Sequence, residues 1–150
     1  MTDLTKVPIG VRIPTNAVGV WSIPDLKVSV PIFKDTHDIK RNADIVDAEN
    51  SALYQPYCQA YIISDHAGSS DTWFMDKVTL DMDAYFVKPT GATTHYVCYS
   101  LQRVDYHTWG YTQNGQMVTP RSSKDIVCVS CVDAKGKEAY MAIFREEGKV

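Results

Sequence analysis

The feature that most constrains the fold is a succession of short segments rich in β-branched and aromatic residues, separated by turn residues and prolines. These segments cover residues 18–33, 60–66, 84–105, 126–132 and 138–146. β-Strands favour such residues, and Pro24 and Pro31 suit the start or the edge of a strand. Inside 84–105, the run Lys88-Pro89-Thr90-Gly91 predicts a hairpin turn. The chain is therefore predicted to be mostly β, as a largely antiparallel barrel or sandwich.

The remaining segments carry weaker signals. Residues 35–50 and 72–78 each have room for one short helix, with Thr72 as a possible N-cap. Residues 107–124 are polar and rich in turn residues, and a loop of that length inside a domain is often functional. We predict an N-terminal extension at 1–17 and one domain at 18–150, because a chain of this length can bury a single core.

Composition and charge exclude some classes of function. The net charge of -3, with scattered basic residues, argues against nucleic acid as a partner. No apolar run approaches the roughly 18 residues of a membrane span. The first ten residues lack the basic and apolar regions of a signal peptide, so either the protein is not exported by that route or an anchor segment has been removed. Four cysteines are too few to indicate a disulfide scaffold and leave the redox compartment open.

Two of the cysteines, Cys128 and Cys131, have the spacing of a metal clip or a redox pair. A structural zinc site needs about four ligands, and the sequence has no second close pair of cysteines or histidines. A redox pair needs its first cysteine at a helix N-terminus, whereas IVCVSC is typical of a strand. No metal and no cofactor are therefore predicted.

Strand geometry separates the two thiols. Side chains alternate between the faces of a strand, so positions 128 and 131 belong to opposite faces unless the strand bulges or ends between them. Cys131 lies at the end of the predicted strand, next to a turn, where a side chain becomes accessible. Cys128 is predicted to fill the core, as free cysteine commonly does.

A nucleophilic thiol needs a base or a cation nearby. Of the four histidines, His37 and His107 lie in predicted loops and His95 in an arm of the hairpin, where structural or solvated roles are expected. His66 ends the predicted strand 60–66, just before Ala67-Gly68-Ser69-Ser70. The sequence therefore favours His66 as the partner of Cys131.

The order of five segments resembles the sortases, the cysteine transpeptidases of Gram-positive surfaces. The segments are 21–33 (WSIPDLKVSVPIF), 61–66 (YIISDH, with Asp65 in place of the usual glycine), 73–78 (WFMDKV), 81–87 (DMDAYFV) and 126–131 (IVCVSC, with Ser130 in place of threonine). The resemblance extends over about residues 18–147.

The resemblance implies an eight-stranded sortase-like β-barrel with one or two short helices. It implies that Cys131 attacks a peptide carbonyl to form a thioacyl enzyme, while His66 acts as acid and base. The implied partners are the sorting-signal peptide of a surface protein and an amine of peptidoglycan or of a pilin. The implied location is the cell surface of a Gram-positive bacterium, if an anchor has been removed.

Sortases also carry an arginine at the start of the last strand, and the alignment puts Tyr140 in its place. A tyrosine donates one hydrogen bond but carries no positive charge at neutral pH. A shifted alignment would let Lys137 or Arg145 supply the charge, and Arg121 in the preceding loop is a further candidate. In that same loop, Trp109, Tyr111 and Met117 either line a groove for an extended peptide or cover one end of the barrel.

Two other functions remain open on the same residues. A hydrolytic cysteine peptidase would use water in place of the amine. An inactive sortase-like module would only bind a peptide or a cell-wall component, and Tyr140 in the arginine's place favours this alternative. The acidic pair Asp81 and Asp83 is expected to mark a turn before a strand.

Overall fold

The computed structural model describes residues 5–36, 38, 40, 52–65, 76–107, 109–131 and 137–150; of Asp65 and Cys131 it describes the backbone alone. These residues form ten strands and one turn of 3-10 helix, Pro24–Leu26, between the first two strands. The strands are β1 (Gly19–Ile23), β2 (Val28–Lys34), β3 (Ala52–Tyr57), β4 (Ala60–Asp65), β5 (Asp83–Val87), β6 (Thr93–His107), β7 (Gly110–Gln113), β8 (Gln116–Met117), β9 (Ile126–Cys131) and β10 (Glu138–Lys149).

Eight of the strands close into a barrel, as predicted. Their order is β10-β9-β4-β3-β2-β1-β5-β6, and pairing of β10 with β6 closes the ring. The β2–β3 and β4–β9 pairs are parallel, and the others are antiparallel. β7 and β8 continue the sheet beyond the end of β6 as a small hairpin. The two segments predicted to hold short helices, 35–50 and 72–78, lie largely outside the described residues.

The predicted hairpin is confirmed, as β5 and β6, but three other strands were not predicted. β3 was missed because Gln55 and Pro56 interrupt its β-rich pattern. β7 and β8 lie within the segment predicted to be a loop. Asn114 and Gly115 join them with φ angles of 53° and 79°, the left-handed conformations of a tight hairpin turn. The Asn-Gly pair was the sequence signal for this hairpin.

The barrel core contains buried residues from all eight strands. Trp21 packs edge-on against Phe144, with 5.1 Å between ring centroids, and lies 5.4 Å from Tyr96. Complete burial of a large apolar side chain contributes about 1.5–3 kcal/mol. Closure of the ring pairs the backbone hydrogen-bonding groups along both edges of each of its strands, and these side chains fill its interior.

A second buried cluster lies on the outside of the barrel, and we call it the outer cluster. Because strands alternate their side chains, the residues between the core positions of β4, β6, β9 and β10 form this outer layer. Tyr111 and Val118, from the segment that follows β6, cover part of it. Its members are Tyr57, Ile62, Val104, Val127, Val129, Ala139, Met141 and Ile143.

The segment before β1 is held to the barrel by charge. The Lys6 ammonium lies 3.3 Å from a carboxylate oxygen of Asp25 and 3.4 Å from one of Asp83. The other oxygen of Asp83 lies 2.7 Å from Nε2 of the buried His95. Asp81 has a φ angle of 67° in the turn before β5, in agreement with the turn predicted there. Both acidic residues therefore have structural roles in the described part of the chain.

Candidate functional site

The last residues of β4 and β9 are neighbours. The two strands run parallel, and Asp65 at the end of β4 pairs with Ser130. Cys131 is the next and last residue of β9. His66 follows Asp65 in the sequence and lies outside the described residues. β4, which precedes the candidate base His66, and β9, which contains the candidate nucleophile Cys131, thus end side by side at the same level of the barrel.

The surroundings of the three cysteines whose side chains are described disfavour the thiolate form. Cys128 is completely buried in the barrel core, as predicted, and this burial raises its pKa well above the ordinary value. Burial also raises the pKa of Cys98 to about 11. Cys58 is exposed at the turn after β3, and partial desolvation raises its pKa as well. These environments favour the protonated, unreactive form.

The register of β10 determines which residue faces Cys131 across the ladder. Ala139 pairs with Cys131, and Tyr140 pairs with Ser130. Ala139 belongs to the outer cluster, whereas Tyr140 packs against the barrel core. The two residues therefore lie on opposite faces of β10, and the position paired with Cys131 carries only a methyl group.

Tyr140 is part of a polar group on its own face of the sheet. The Arg103 guanidinium lies 5.5 Å from the centre of the Tyr140 ring, and its Nε lies 3.0 Å from a carboxylate oxygen of Glu138. A cavity of about 270 Å³ opens beside this group. Its described lining consists of Asp76, Val78, Leu101, Gln102, Arg103, Tyr140 and Met141.

The two predicted arginines lie towards the other end of β9 and β10. Arg145 is six positions beyond Ala139, about 20 Å along the strand, and its Nε lies 2.7 Å from Glu147. Arg121 precedes the start of β9, and its guanidinium lies 4.7 Å from the centre of the Tyr99 ring. The structure therefore brings neither guanidinium to the end of β9 at which Cys131 lies.

A buried aspartate anchors the segment that crosses the outer cluster between β6 and β9. One carboxylate oxygen of Asp125 accepts hydrogen bonds from the Tyr99 hydroxyl at 2.5 Å and from the backbone N–H groups of Arg121 and Ser122 at 3.0 and 3.2 Å. Asp125 is only 3% exposed. Sequence reasoning missed it because an aspartate after Ser-Ser-Lys is also typical of a solvated turn.

Aromatic residues gather where β6 ends and β7 begins. Tyr111 pairs with Tyr106, with 5.6 Å between ring centroids, and its ring also lies 5.8 Å from that of Tyr57. Trp109 stacks on His107 at 4.7 Å and is 62% exposed. Of the two predicted groove residues, Tyr111 thus packs against the outer cluster, whereas Trp109 forms an exposed aromatic surface with His107.

Metal binding and membrane crossing receive no support from the described ranges. No group of three His, Cys, Asp or Glu residues there is arranged to hold a metal ion. No helix in these ranges is long and apolar enough to span a membrane.

Solved structures with similar folds include several sortases. The chain matches sortase A from Listeria monocytogenes with a TM-score of 0.61 and 16% identity, covering 90% of this chain and 91% of that one. It matches a lid mutant of sortase C1 from Streptococcus agalactiae with a TM-score of 0.65 and 10% identity, covering 92% and 73%. The match to sortase C-3 from Streptococcus pneumoniae has a TM-score of 0.63 and 14% identity, covering 89% and 64%.

The likeness is one of fold. No protein-family profile and no curated protein sequence matches the chain. Identities of 10–16% with three-dimensional agreement over about nine-tenths of the chain show a divergent, sortase-like barrel. Function must be argued from the residues of the site.

Proposed function

We propose that this sortase-like barrel is a cysteine transpeptidase in which Cys131 is the nucleophile and His66 the acid and base. The observation that supports this most is the pairing of Asp65 with Ser130 in a parallel ladder. In the sequence, His66 directly follows Asp65 and Cys131 directly follows Ser130. Parallel strands that end at one level offer the short separation that a thiol and an imidazole need.

In the first half of the reaction, the Cys131 thiolate attacks the carbonyl carbon of a peptide bond. The tetrahedral intermediate collapses as the C–N bond breaks, and His66 gives its proton to the departing amine. The acyl fragment remains on Cys131 as a thioester. Cysteine suits this step because thiolate is a strong nucleophile near neutral pH.

In the second half, an amine attacks the thioester carbonyl. His66 accepts a proton from the attacking nitrogen, a new amide bond forms, and the Cys131 thiolate leaves. No net oxidation occurs, and the enzyme returns to its starting state. The energy of the original peptide bond is retained through the thioester, so the overall reaction requires no cofactor.

The proposed substrates follow from this reaction and from the sortase-like fold. The donor is the sorting-signal peptide of a surface protein, held in extended form beside Trp109 and Tyr111. The acceptor is an amine of peptidoglycan or of a pilin. Such substrates place the protein outside the cytoplasmic membrane, at the surface of a Gram-positive cell.

The test is product analysis by mass spectrometry with a panel of fluorogenic sorting-signal peptides, with and without triglycine. We expect a triglycine-ligated product and a thioacyl adduct on Cys131. Cys131→Ala and His66→Ala should each lower the rate by about a thousandfold or more, because members of a catalytic pair act as a unit. Cys128→Ala is the matched control and should retain activity.

Each other outcome identifies a different function. Product formation by Cys131→Ala would refute the assignment of the nucleophile. Cleavage that is indifferent to triglycine would identify a hydrolytic cysteine peptidase. Peptide binding without any adduct on Cys131 would identify a binding module, an alternative favoured by the methyl group of Ala139 in register with Cys131.

A further inference from the structure

The proposed chemistry creates negative charge at the site twice. The thiolate of Cys131 is an anion, and the tetrahedral intermediate carries an oxyanion. A nearby positive charge lowers the pKa of a thiol and stabilises an oxyanion, and losing one oxyanion donor typically costs 10²–10³-fold in rate. Ala139, which pairs with Cys131, has neither a charge nor a hydrogen-bond donor. A positive charge at this site would have to come from another position.

The ladder between β10 and β6 points to that position. Ala139 pairs with Val104 and Glu138 with Asp105, so Lys137 is opposite Tyr106. The backbone N–H of Tyr106 donates to the carbonyl of Lys137 at 2.9 Å, which continues the ladder one residue before β10 begins. Strand alternation then assigns position 137 to the same face as position 139.

Neighbouring contacts identify this face as the outer one. Ala139 and Val104 both belong to the outer cluster. Tyr106 contacts Tyr111, which packs against the same cluster. Lys137 thus lies on the outer face, about 7 Å along the strand from the residue that pairs with Cys131. Its side chain is exposed and forms no ion pair with the described part of the chain.

The arginines near these strands do not meet the same requirements. Arg103 is opposite Tyr140 on the other face and is paired with Glu138. Arg145 is about 20 Å along β10 and is paired with Glu147. Arg121 lies at the start of β9, over Tyr99. Within the described ranges, Lys137 is the basic residue that combines the correct face of β10 with the correct end.

We propose that Lys137 supplies the positive charge of the active site, stabilising the Cys131 thiolate and the oxyanion of the acyl-transfer intermediate. This inference rests on the proposed function of Cys131. The charge would come from the ammonium group of Lys137, which precedes β10, and not from Ala139, the residue that pairs with Cys131. A lysine is a flexible point charge with three donors, so it can reach an oxyanion from that distance.

The test measures Cys131 alone before it measures catalysis. In the full chain, the rate of Cys131 alkylation by iodoacetamide at pH 7 is followed by peptide mass spectrometry. Lys137→Gln should slow it several-fold, and the difference should shrink at 1 M salt, where charges are screened within about 3 Å. Lys137→Arg should retain the rate of the parent. Lys124→Gln removes the same charge from an exposed site near the start of β9 and should have no effect.

Transpeptidation of the fluorogenic peptides onto triglycine gives the second measurement. Lys137→Gln should lower kcat/KM by about 10²-fold, and Lys137→Arg should restore most of it. A reactive Cys131 with equal alkylation rates in the Lys137→Gln and Lys124→Gln variants would overturn the role of Lys137 and leave the proposed function standing. A Cys131 that is no more reactive than Cys58 in the parent would overturn both.

Discussion

Cys131 pairs with Ala139 across the ladder of β9 and β10, and Tyr140, one residue further on, pairs with Ser130. A shift of one residue moves a side chain to the opposite face of a strand. Tyr140 therefore packs on the barrel core while Ala139 lies in the outer cluster. The polar group of Tyr140, Arg103 and Glu138 therefore lies on the face of β10 opposite Ala139, the residue that pairs with Cys131.

Tyr140→Phe is expected to change the alkylation rate of Cys131 and the rate of transpeptidation by less than about twofold. The tyrosine hydroxyl is on the face away from Ala139, and its ring, which Arg103 contacts, is retained in phenylalanine. The measurement is iodoacetamide alkylation together with peptide turnover, compared with Lys137→Gln. A tenfold loss in Tyr140→Phe would assign an oxyanion role to Tyr140 and contradict the face assignment.

The four cysteines should react with iodoacetamide at different rates, because they differ in exposure and in thiol pKa. At pH 7, iodoacetamide should modify Cys131 first and Cys58 more slowly, and Cys98 and Cys128 should react only after denaturation. Cys98 and Cys128 are buried, and their raised pKa values leave little thiolate. Mass spectrometry of peptides after timed alkylation provides the order. Early modification of Cys128 in the folded protein would contradict its place in the core.

Asp125→Ala should destabilise the segment that covers the outer cluster. The substitution removes the acceptor of the Tyr99 hydroxyl and of the Ser122 backbone N–H, while the Arg121 N–H keeps the Tyr99 oxygen as a second acceptor at 3.1 Å. We expect a cost of about 2 kcal/mol in the free energy of unfolding. Hydrogen exchange of residues 109–125 should accelerate more than that of β1 and β2. Asp105→Asn, at an exposed position on β6, is the control and should change neither quantity.

The strands that line the barrel could be predicted from sequence because their β-rich runs end at clear turns. The predicted strand 60–66, for example, contains β4 (Ala60–Asp65), and the run containing Lys88 and Gly91 turns from β5 into β6. β3 could not be predicted in this way, because it contains Pro56 and pairs in parallel with β2 across a long connection. Its pairing depends on contacts between distant parts of the chain.

The register of β10 is the part of the site that the sequence could not supply. Residues 139–144 are apolar or aromatic throughout, since the barrel core covers one face and the outer cluster lies on the other. A strand buried on both faces shows no alternation, so a slip of one residue leaves its pattern unchanged. The sequence of β10 is therefore equally compatible with a register that pairs Tyr140 with Cys131 and with the observed register, which pairs Ala139 with Cys131.

Stability should fall in alkaline solution. Burial raises the pKa of Cys98 from 9.0 to about 11 and that of Tyr57 from 10.0 to about 12. A raised pKa means that the folded state holds its proton more tightly than the unfolded state, so the stabilisation is complete below about pH 9 and is lost as the pH rises towards 12. Urea unfolding at pH 8, 9, 10 and 11 measures this slope. Cys98→Ala should give a flatter dependence, and an unchanged slope would contradict the contribution of Cys98.

Trp109→Ala should weaken the binding of the peptide substrate and leave the chemical step intact. Because Trp109 is 62% exposed and stacks on His107, its removal costs little folding energy but removes apolar contact area from the proposed groove. We expect KM to rise about 5- to 30-fold, as for the loss of one aromatic contact of about 1–2 kcal/mol, with kcat unchanged. Tyr61→Ala, which removes an exposed ring stacked on Tyr54 at the start of β4, is the control. A KM that Trp109→Ala leaves unchanged, or raises no more than Tyr61→Ala does, would mean that Trp109 only covers the end of the sheet.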